Sequence, residues 1–208
     1  MKLYYAPGAC SFAPHIALLE ANLPVELVKV DLASHTLGDG TDFYSINPKG
    51  GVPVLELDDG TRLTEAAVIL QYIADQRPGT LAPEYGSFER YRLIEWLNYI
   101  ATELHKGMGP LWYPATTPEV REQTIAGMSK RFTFIARALE KSEFIAGDRF
   151  SIADAYLHTI LGWTRFHKID LTPWPALVAY QERMRARPAV QEAKHAESGA
   201  APKQPQPA

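Results

Sequence analysis

The stretch DQRPGTLAPEYGS, residues 75–87, separates two parts of this chain that follow different periodicities. It holds two prolines and two glycines. Before it, short apolar runs of strand length alternate with helix-length patterns. After it, every apolar pattern recurs at the helical spacing. A single change of period at one Pro/Gly-rich junction predicts an α/β unit over residues 1–80, followed by an all-helical unit over 87–197.

In the first unit, KLYY (2–5) and VELVKVD (25–31) read as strands. Between them Ser11 to Ala21 reads as a helix, with Ser11 as its N-cap and Pro14 in its first turn. Strand, helix, strand over so short a span predicts a right-handed βαβ unit. Residues 34–47 are polar and contain glycine, which predicts a loop with at most one short helix. The segments VPVLEL and TRLT flank Asp58-Asp59-Gly60, a hairpin signal. Pro53 within the first of them predicts an edge strand or a bulge, because proline lacks the N–H that a ladder uses. The ordinary preference of X-Pro bonds favours a trans Val52–Pro53 bond. Thr64 is placed to cap a helix carrying Val68, Ile69, Tyr72 and Ile73 on one face. The predicted order is βαβ-α-ββα.

In the second unit, Leu93, Leu97, Ile100 and Leu104 mark a helix ending near residues 107–110, and Ile125, Met128, Phe132, Ile135 and Leu139 mark another. In FSIADAYLHTILGW, Ser151 and Asp154 form a capping-box variant, a folding role. Ile152, Ala155, Tyr156, Thr159, Ile160 and Trp163 make that helix's inward face. Further helices follow TPWPALV and begin at Pro188. Residues 198–208 are rich in proline and poor in apolar groups, which predicts disorder.

The net charge of −3 gives no electrostatic reason to expect nucleic acid or an anionic membrane as partner. No apolar run approaches a membrane span, the first residues lack a secretory h-region, and one cysteine cannot form an internal disulfide. These features point to the cytoplasm, and no metal-ligand spacing is present.

That one cysteine, Cys10, follows a Pro-Gly turn at the mouth of the first helix. A lone cysteine usually packs as a small inert residue. At a helix N-terminus, however, backbone N–H groups favour an anion, which predicts a lowered thiol pKa. The same groups serve a foreign thiolate or carboxylate. No second cysteine follows to resolve a disulfide, which argues against an unaided dithiol oxidoreductase and leaves open a monothiol pairing with an external thiol. An isolated Glu65 at a helix start reads as a complement to the macrodipole, and His15 as a surface or packing residue.

Together, YYAPGACS, NPKGGVPVL, LTEAAVILQYIAD, EWLNYIATELHKG and FSIADAYL resemble the bacterial beta-class glutathione transferases over essentially residues 1–197. The resemblance implies a thioredoxin-like first domain, an all-helical second domain with the hydrophobic-substrate site, and a homodimer. It implies glutathione as co-substrate, with Val52 before a cis Pro53 pairing its backbone with the cysteinyl part. Glu65 would hold the γ-glutamyl amine and the Ala66 N–H its carboxylate. Cys10 would lie beside the glutathione sulfur, His105 and Lys106 would complete the site, and Asn98 and Glu103 would reach the partner's glutathione. His35 stands where relatives place a lysine for the glycyl carboxylate.

The implied activity is conjugation of the glutathione thiolate to small apolar electrophiles, with Cys10, His105, Ser11 and Tyr5 as the thiolate's candidate donors. Trp112, Tyr113, Trp163 and Phe166 are candidates for the electrophile's pocket, although aromatics at helical spacing also serve as core. Two alternatives use the same residues. One is thiol–disulfide exchange or reductive dehalogenation through Cys10, and the other is non-catalytic binding of hydrophobic ligands.

Overall fold

The computed structural model describes residues 1–198; the tail predicted to be disordered lies, but for Ser198, outside them. A five-stranded sheet of order β3-β2-β1-β4-β5 is built from β1 (Lys2–Tyr5), β2 (Glu26–Asp31), β3 (Thr36–Leu37), β4 (Val54–Glu56) and β5 (Arg62–Thr64). Strands β1 and β2 are parallel and joined through α1 (Phe12–Glu20), while β4 runs antiparallel to both β1 and β5. The βαβ expectation and the hairpin at Asp58-Asp59-Gly60 therefore hold. The hairpin is closed by Leu57 N–H to Thr61 C=O at 2.8 Å and Gly60 N–H to Leu57 C=O at 3.0 Å.

Alternation along the strands decides what each sheet face covers. Leu3, Tyr5 and Leu55 face α1 and α2 (Ala66–Asp75) in the main core. Tyr4, Val30 and Val54 face the other way and pack on Phe43, which is fully buried in a short 3₁₀ turn, Phe43–Ser45.

Several local expectations are corrected. Residues 34–47 hold the one short helix allowed for, at Phe43–Ser45, but also a strand: Thr36 and Leu37 pair antiparallel with Asp31 and Val30 as β3. A two-residue strand leaves no period to read. Strand β4 lies inside the sheet rather than at its edge. Pro53 is compatible with this because it stands one residue before the ladder begins, and its bond to Val52 is cis. Thr64 does not cap α2; it ends β5 and Glu65 takes the N-cap position, with φ 68° and no side-chain capping bond. Of the two readings of His15, surface or packing, the second holds: it is buried.

Beyond the junction come α3 (Phe88–Tyr99), α4 (Pro118–Leu139), α5 (Ile152–Phe166), α6 (Pro175–Arg185) and α7 (Pro188–Glu197). The helix expected to run to about residue 107 instead changes hydrogen-bond pattern. Residues Ile100–His105 are π-helical and Lys106–Trp112 form 3₁₀ turns, with Pro110 inside. π segments are rare and shift the register of the side chains that follow. Ser151 and Asp154 form the expected capping box at α5, whose buried inner side meets α1, α2 and α3. Helix α7 returns to α1. The helical half thus closes over the helix that Cys10 precedes.

Candidate functional site

The site is assembled from the β1–α1 turn, the segment before β4, and helix α5. The turn Ala6-Pro7-Gly8-Ala9 is held by an Ala9 N–H to Ala6 C=O bond of 3.0 Å, with Gly8 at φ 74°. Ser11 is fully buried, and its hydroxyl is turned back to Ala6. It accepts from the Ala6 N–H at 3.2 Å and lies 3.3 Å from the Ala6 carbonyl. Ser11 therefore occupies the N-cap position of α1 without capping it. Its side chain fastens the turn, and its hydroxyl is committed to Ala6.

Cys10 stands just before Ser11, and its thiol donates to the Val52 carbonyl at 3.2 Å. The expectation of a lowered thiol pKa is overturned: burial pushes the Cys10 thiol up to about 12. The Cys10 and Ser11 backbone N–H groups pull the other way, and the negative charge of Glu65 adds to the rise. A helix N-terminus favours an anion, but here the loss of water outweighs it. At neutral pH Cys10 is a thiol.

His105 ends the π-helical segment and lies in contact with α5. Its Nδ1 is 2.7 Å from the Tyr156 hydroxyl, and its ring meets Trp163 edge-on at 4.9 Å. Burial lowers the imidazole pKa, so it is neutral at pH 7; Glu65 partly opposes this shift and Lys106 adds to it. Burial also drives the Tyr156 phenol well above its ordinary value, so the phenol keeps its proton. Tyr156 O–H then donates to Nδ1, which leaves the proton of the neutral ring on Nε2. Tyr156 had been read only as part of a helix's inward face. The usable signal was its hydroxyl, since a buried tyrosine needs a partner for that group.

Glu65 carries its carboxylate 2.5 Å from Lys49 Nζ, and that ammonium also donates to the Thr64 hydroxyl at 2.7 Å. The Glu65 side chain is 68% exposed, so the carboxylate is open to exchange partners. Its charge nevertheless reaches Cys10, His105 and Tyr156. His35 Nδ1 lies 3.1 Å from the Gly50 carbonyl, and its ring stands 4.7 Å from Tyr44. Gly50 has φ 68°, and a Cβ there would come within 2.6 Å of the Tyr44 ring, so only glycine fits.

A cavity of about 950 Å³ opens beside Cys10. Its walls include the 6–10 turn, Val52, Trp112, Trp163 and Phe166. Trp112 stacks on Phe166 at 5.0 Å and meets Trp163 edge-on at 5.1 Å. Trp163 also donates its indole N–H to the Gly8 carbonyl at 2.9 Å, tying α5 to the turn that carries Cys10.

Other candidates lie outside that wall. Tyr113 is 69% exposed, and Tyr5 is buried in the core. Asn98 and Lys106 are exposed, while Glu103 is paired with Arg131 at 2.9 Å. Ala66 opens α2. Among the described residues no cluster of three or more His, Cys, Asp or Glu is arranged to hold a metal ion, and no helix is long and apolar enough to cross a membrane.

Comparison with known proteins agrees with this geometry. Residues 8–76 match the model of the glutathione S-transferase N-terminal domain, and residues 99–188 that of its C-terminal domain. The chain is 49% identical over 199 residues to glutathione S-transferase GstA of Escherichia coli O157:H7, covering 95% of this chain and 98% of that protein. A sphingomonad glutathione S-transferase solved in complex with glutathione is 45% identical, with a TM-score of 0.92, over 96% of this chain and all of the other. The bacterial beta-class glutathione S-transferase of Sphingomonas chungbukensis is 44% identical with the same TM-score, over 97% of this chain and all of the other. The chain belongs to the glutathione S-transferase family and is a beta-class member of it.

Proposed function

We propose that this glutathione transferase binds glutathione along the 49–66 segment and the Cys10 turn, and adds its sulfur to apolar electrophiles held in the aromatic-walled cavity. The observation that carries this reading is the placement of Cys10 and the Val52 carbonyl at one edge of that cavity. A cysteinyl backbone paired with Val52 would present its sulfur to the cavity.

Each group has a role in the reaction. The γ-glutamyl ammonium replaces Lys49 at Glu65, and its carboxylate takes N–H groups at the start of α2, where a helix leaves its first donors free. The glutathione thiol, ordinarily near pKa 8.5, is helped to lose its proton to water by the N–H groups at the start of α1. The His105 Nε2–H, set by Tyr156, supplies a donor to the resulting thiolate. The thiolate forms a C–S bond with the electrophile. With an aryl halide the C–halogen bond breaks and halide leaves with the electron pair.

His35, Lys106, and Asn98 and Glu103 from a partner subunit would complete the grip on glutathione. A dimer is supported by the aromatic group of Trp96, Tyr99 and half-exposed Phe134 on α3 and α4, whose rings lie 5.0–6.0 Å apart. Exposed apolar clusters of this kind mark association surfaces.

The test is conjugation of glutathione to a chlorodinitrobenzene by the wild type and by His105→Gln. The wild type should saturate with glutathione, and the variant should lose about a hundredfold in kcat, within the range of a general acid–base or donor contribution. Absence of turnover by the wild type, with apolar ligands still bound, would leave the cavity as a binding site only.

A further inference from the structure

Beyond the aromatic wall, the cavity continues to α6 and α7, and there its character changes. The lining gains Arg165, Arg185 and Lys194. All three are exposed at the mouth, and among the described residues none has an ion-pair partner. One acidic residue lines the same space, Glu197, and its carboxylate is already engaged. It lies 3.0 Å from His15 Nδ1 and accepts from the Gly8 N–H at 3.4 Å. Three free cations around one spent carboxylate run against a chain whose net charge is −3.

His158 and Gln181, both more than nine-tenths buried, form the wall between these cations and the aromatics. Their side chains interact with each other, and Gln181 Nε2 also donates to the His158 carbonyl at 3.1 Å. The charge at this end of the cavity is therefore that of the three cations. The aromatic end of the cavity solvates an apolar body, whereas this end can satisfy a charged one.

We infer that the preferred electrophiles are amphipathic anions, with an apolar reactive part against Trp112, Trp163 and Phe166 and a carboxylate or similar group directed to Arg185 and Lys194. This rests on the conjugation activity proposed above and adds the substrate class. Binding energy from a part of the substrate remote from the reacting carbon then holds that carbon near the sulfur. The reaction is unchanged: a C–S bond forms, a C–Cl bond breaks, and chloride leaves.

The test uses a matched pair of probes, a chloronitrobenzoate and its neutral carboxamide, each with glutathione at saturation. The variants are Arg185→Glu, Lys194→Glu and the double variant, all at exposed positions that the fold tolerates. For the benzoate, kcat/KM should fall at least tenfold in Arg185→Glu and further in the double variant, and added salt should lower the wild-type value. For the carboxamide all of these should stay within about twofold. Equal losses on both probes, or none on the benzoate, would overturn the inference. Failure of the wild type on the carboxamide as well would instead count against the conjugation reading itself.

Discussion

Helices α1 and α5 each begin with a serine, and the chain uses the two beginnings in opposite ways. At α5 the start is closed. The Asp154 carboxylate accepts from the Ser151 N–H at 2.9 Å, the Ser151 hydroxyl at 2.8 Å, the Ile145 N–H at 2.8 Å and the Tyr180 hydroxyl at 3.1 Å. At α1 the start is open. Ser11 spends its hydroxyl on Ala6, so the N–H groups beside Cys10 are left facing sulfur. A filled cap makes a folding element, and an unfilled one makes a place for an anion that arrives with the substrate.

The difference is broken most severely at the closed end. Asp154→Ala strands three donors in the interior, each costing 1–3 kcal/mol or so with partial relaxation, while the Tyr180 hydroxyl keeps the Asp154 backbone carbonyl at 3.1 Å. Urea unfolding should show a loss of about 4 kcal/mol, while the folded fraction keeps its turnover per molecule. A pH titration adds a second readout. Burial raises the Asp154 pKa from 3.8 to about 6, so between those values the native state binds more protons than the unfolded one. Wild-type stability should therefore fall as pH climbs through that window, and Asp154→Ala should remove this slope. An unchanged midpoint in urea would show that the cap is dispensable.

At the open end the serine has a smaller and different effect. Ser11→Ala leaves the Ala6 N–H without its partner in a buried turn, a cost of about 2 kcal/mol. Glutathione conjugation should keep its kcat, because the lost hydroxyl faces Ala6 rather than the cavity. A collapse of kcat with unchanged stability would make Ser11 a donor to the reacting sulfur instead.

Tyr156→Phe sharpens the comparison from the α5 side, since that helix closes its own start yet commits one hydroxyl to the His105 imidazole. Losing one hydrogen bond to a neutral imidazole is worth about 1 kcal/mol, roughly a fivefold fall in kcat. KM for glutathione should be unaffected, and the pH profile of kcat should shift as the tautomer preference of His105 is released. A change in KM alone would make Tyr156 a packing residue.

The same contrast explains what could be read from the chain. Ser151 and Asp154 were legible because a closed cap is local: its donors and acceptors sit three residues apart. The hairpin at Asp58-Asp59-Gly60 was legible for the same reason. Thr64 was misassigned as a cap because the choice between Thr64 and Glu65 depends on where β5 releases the chain. The π-helical step at Ile100–His105, which sets the direction of His105, leaves no mark in an apolar period. The position of Cys10 just before α1 was legible, but its ionisation was not. The helix start is written in sequence, whereas what outweighs it comes from far along the chain: the thiol is buried against the Val52 carbonyl, 42 positions on, and the charge of Glu65 adds to the rise.

The smallest effect is expected at the residue that stands out most in the sequence. A thiol held near pKa 12 is ionised to roughly one part in a hundred thousand at pH 7. As a nucleophile in conjugation it is nearly silent. What remains to Cys10 is one weak S–H donor, now on the Val52 carbonyl, worth under about 1 kcal/mol if it turns to the glutathione sulfur. Cys10→Ala should therefore keep conjugation of a chlorodinitrobenzene within about fivefold of wild type under reducing conditions. It should also lose all capacity to form a mixed disulfide with glutathione, read by mass. A fall of fiftyfold or more would mean that bound glutathione reverses the burial of the thiol and brings the α1 N-terminus back into control. The open helix start would then act on the protein's own sulfur as well as on the one it receives.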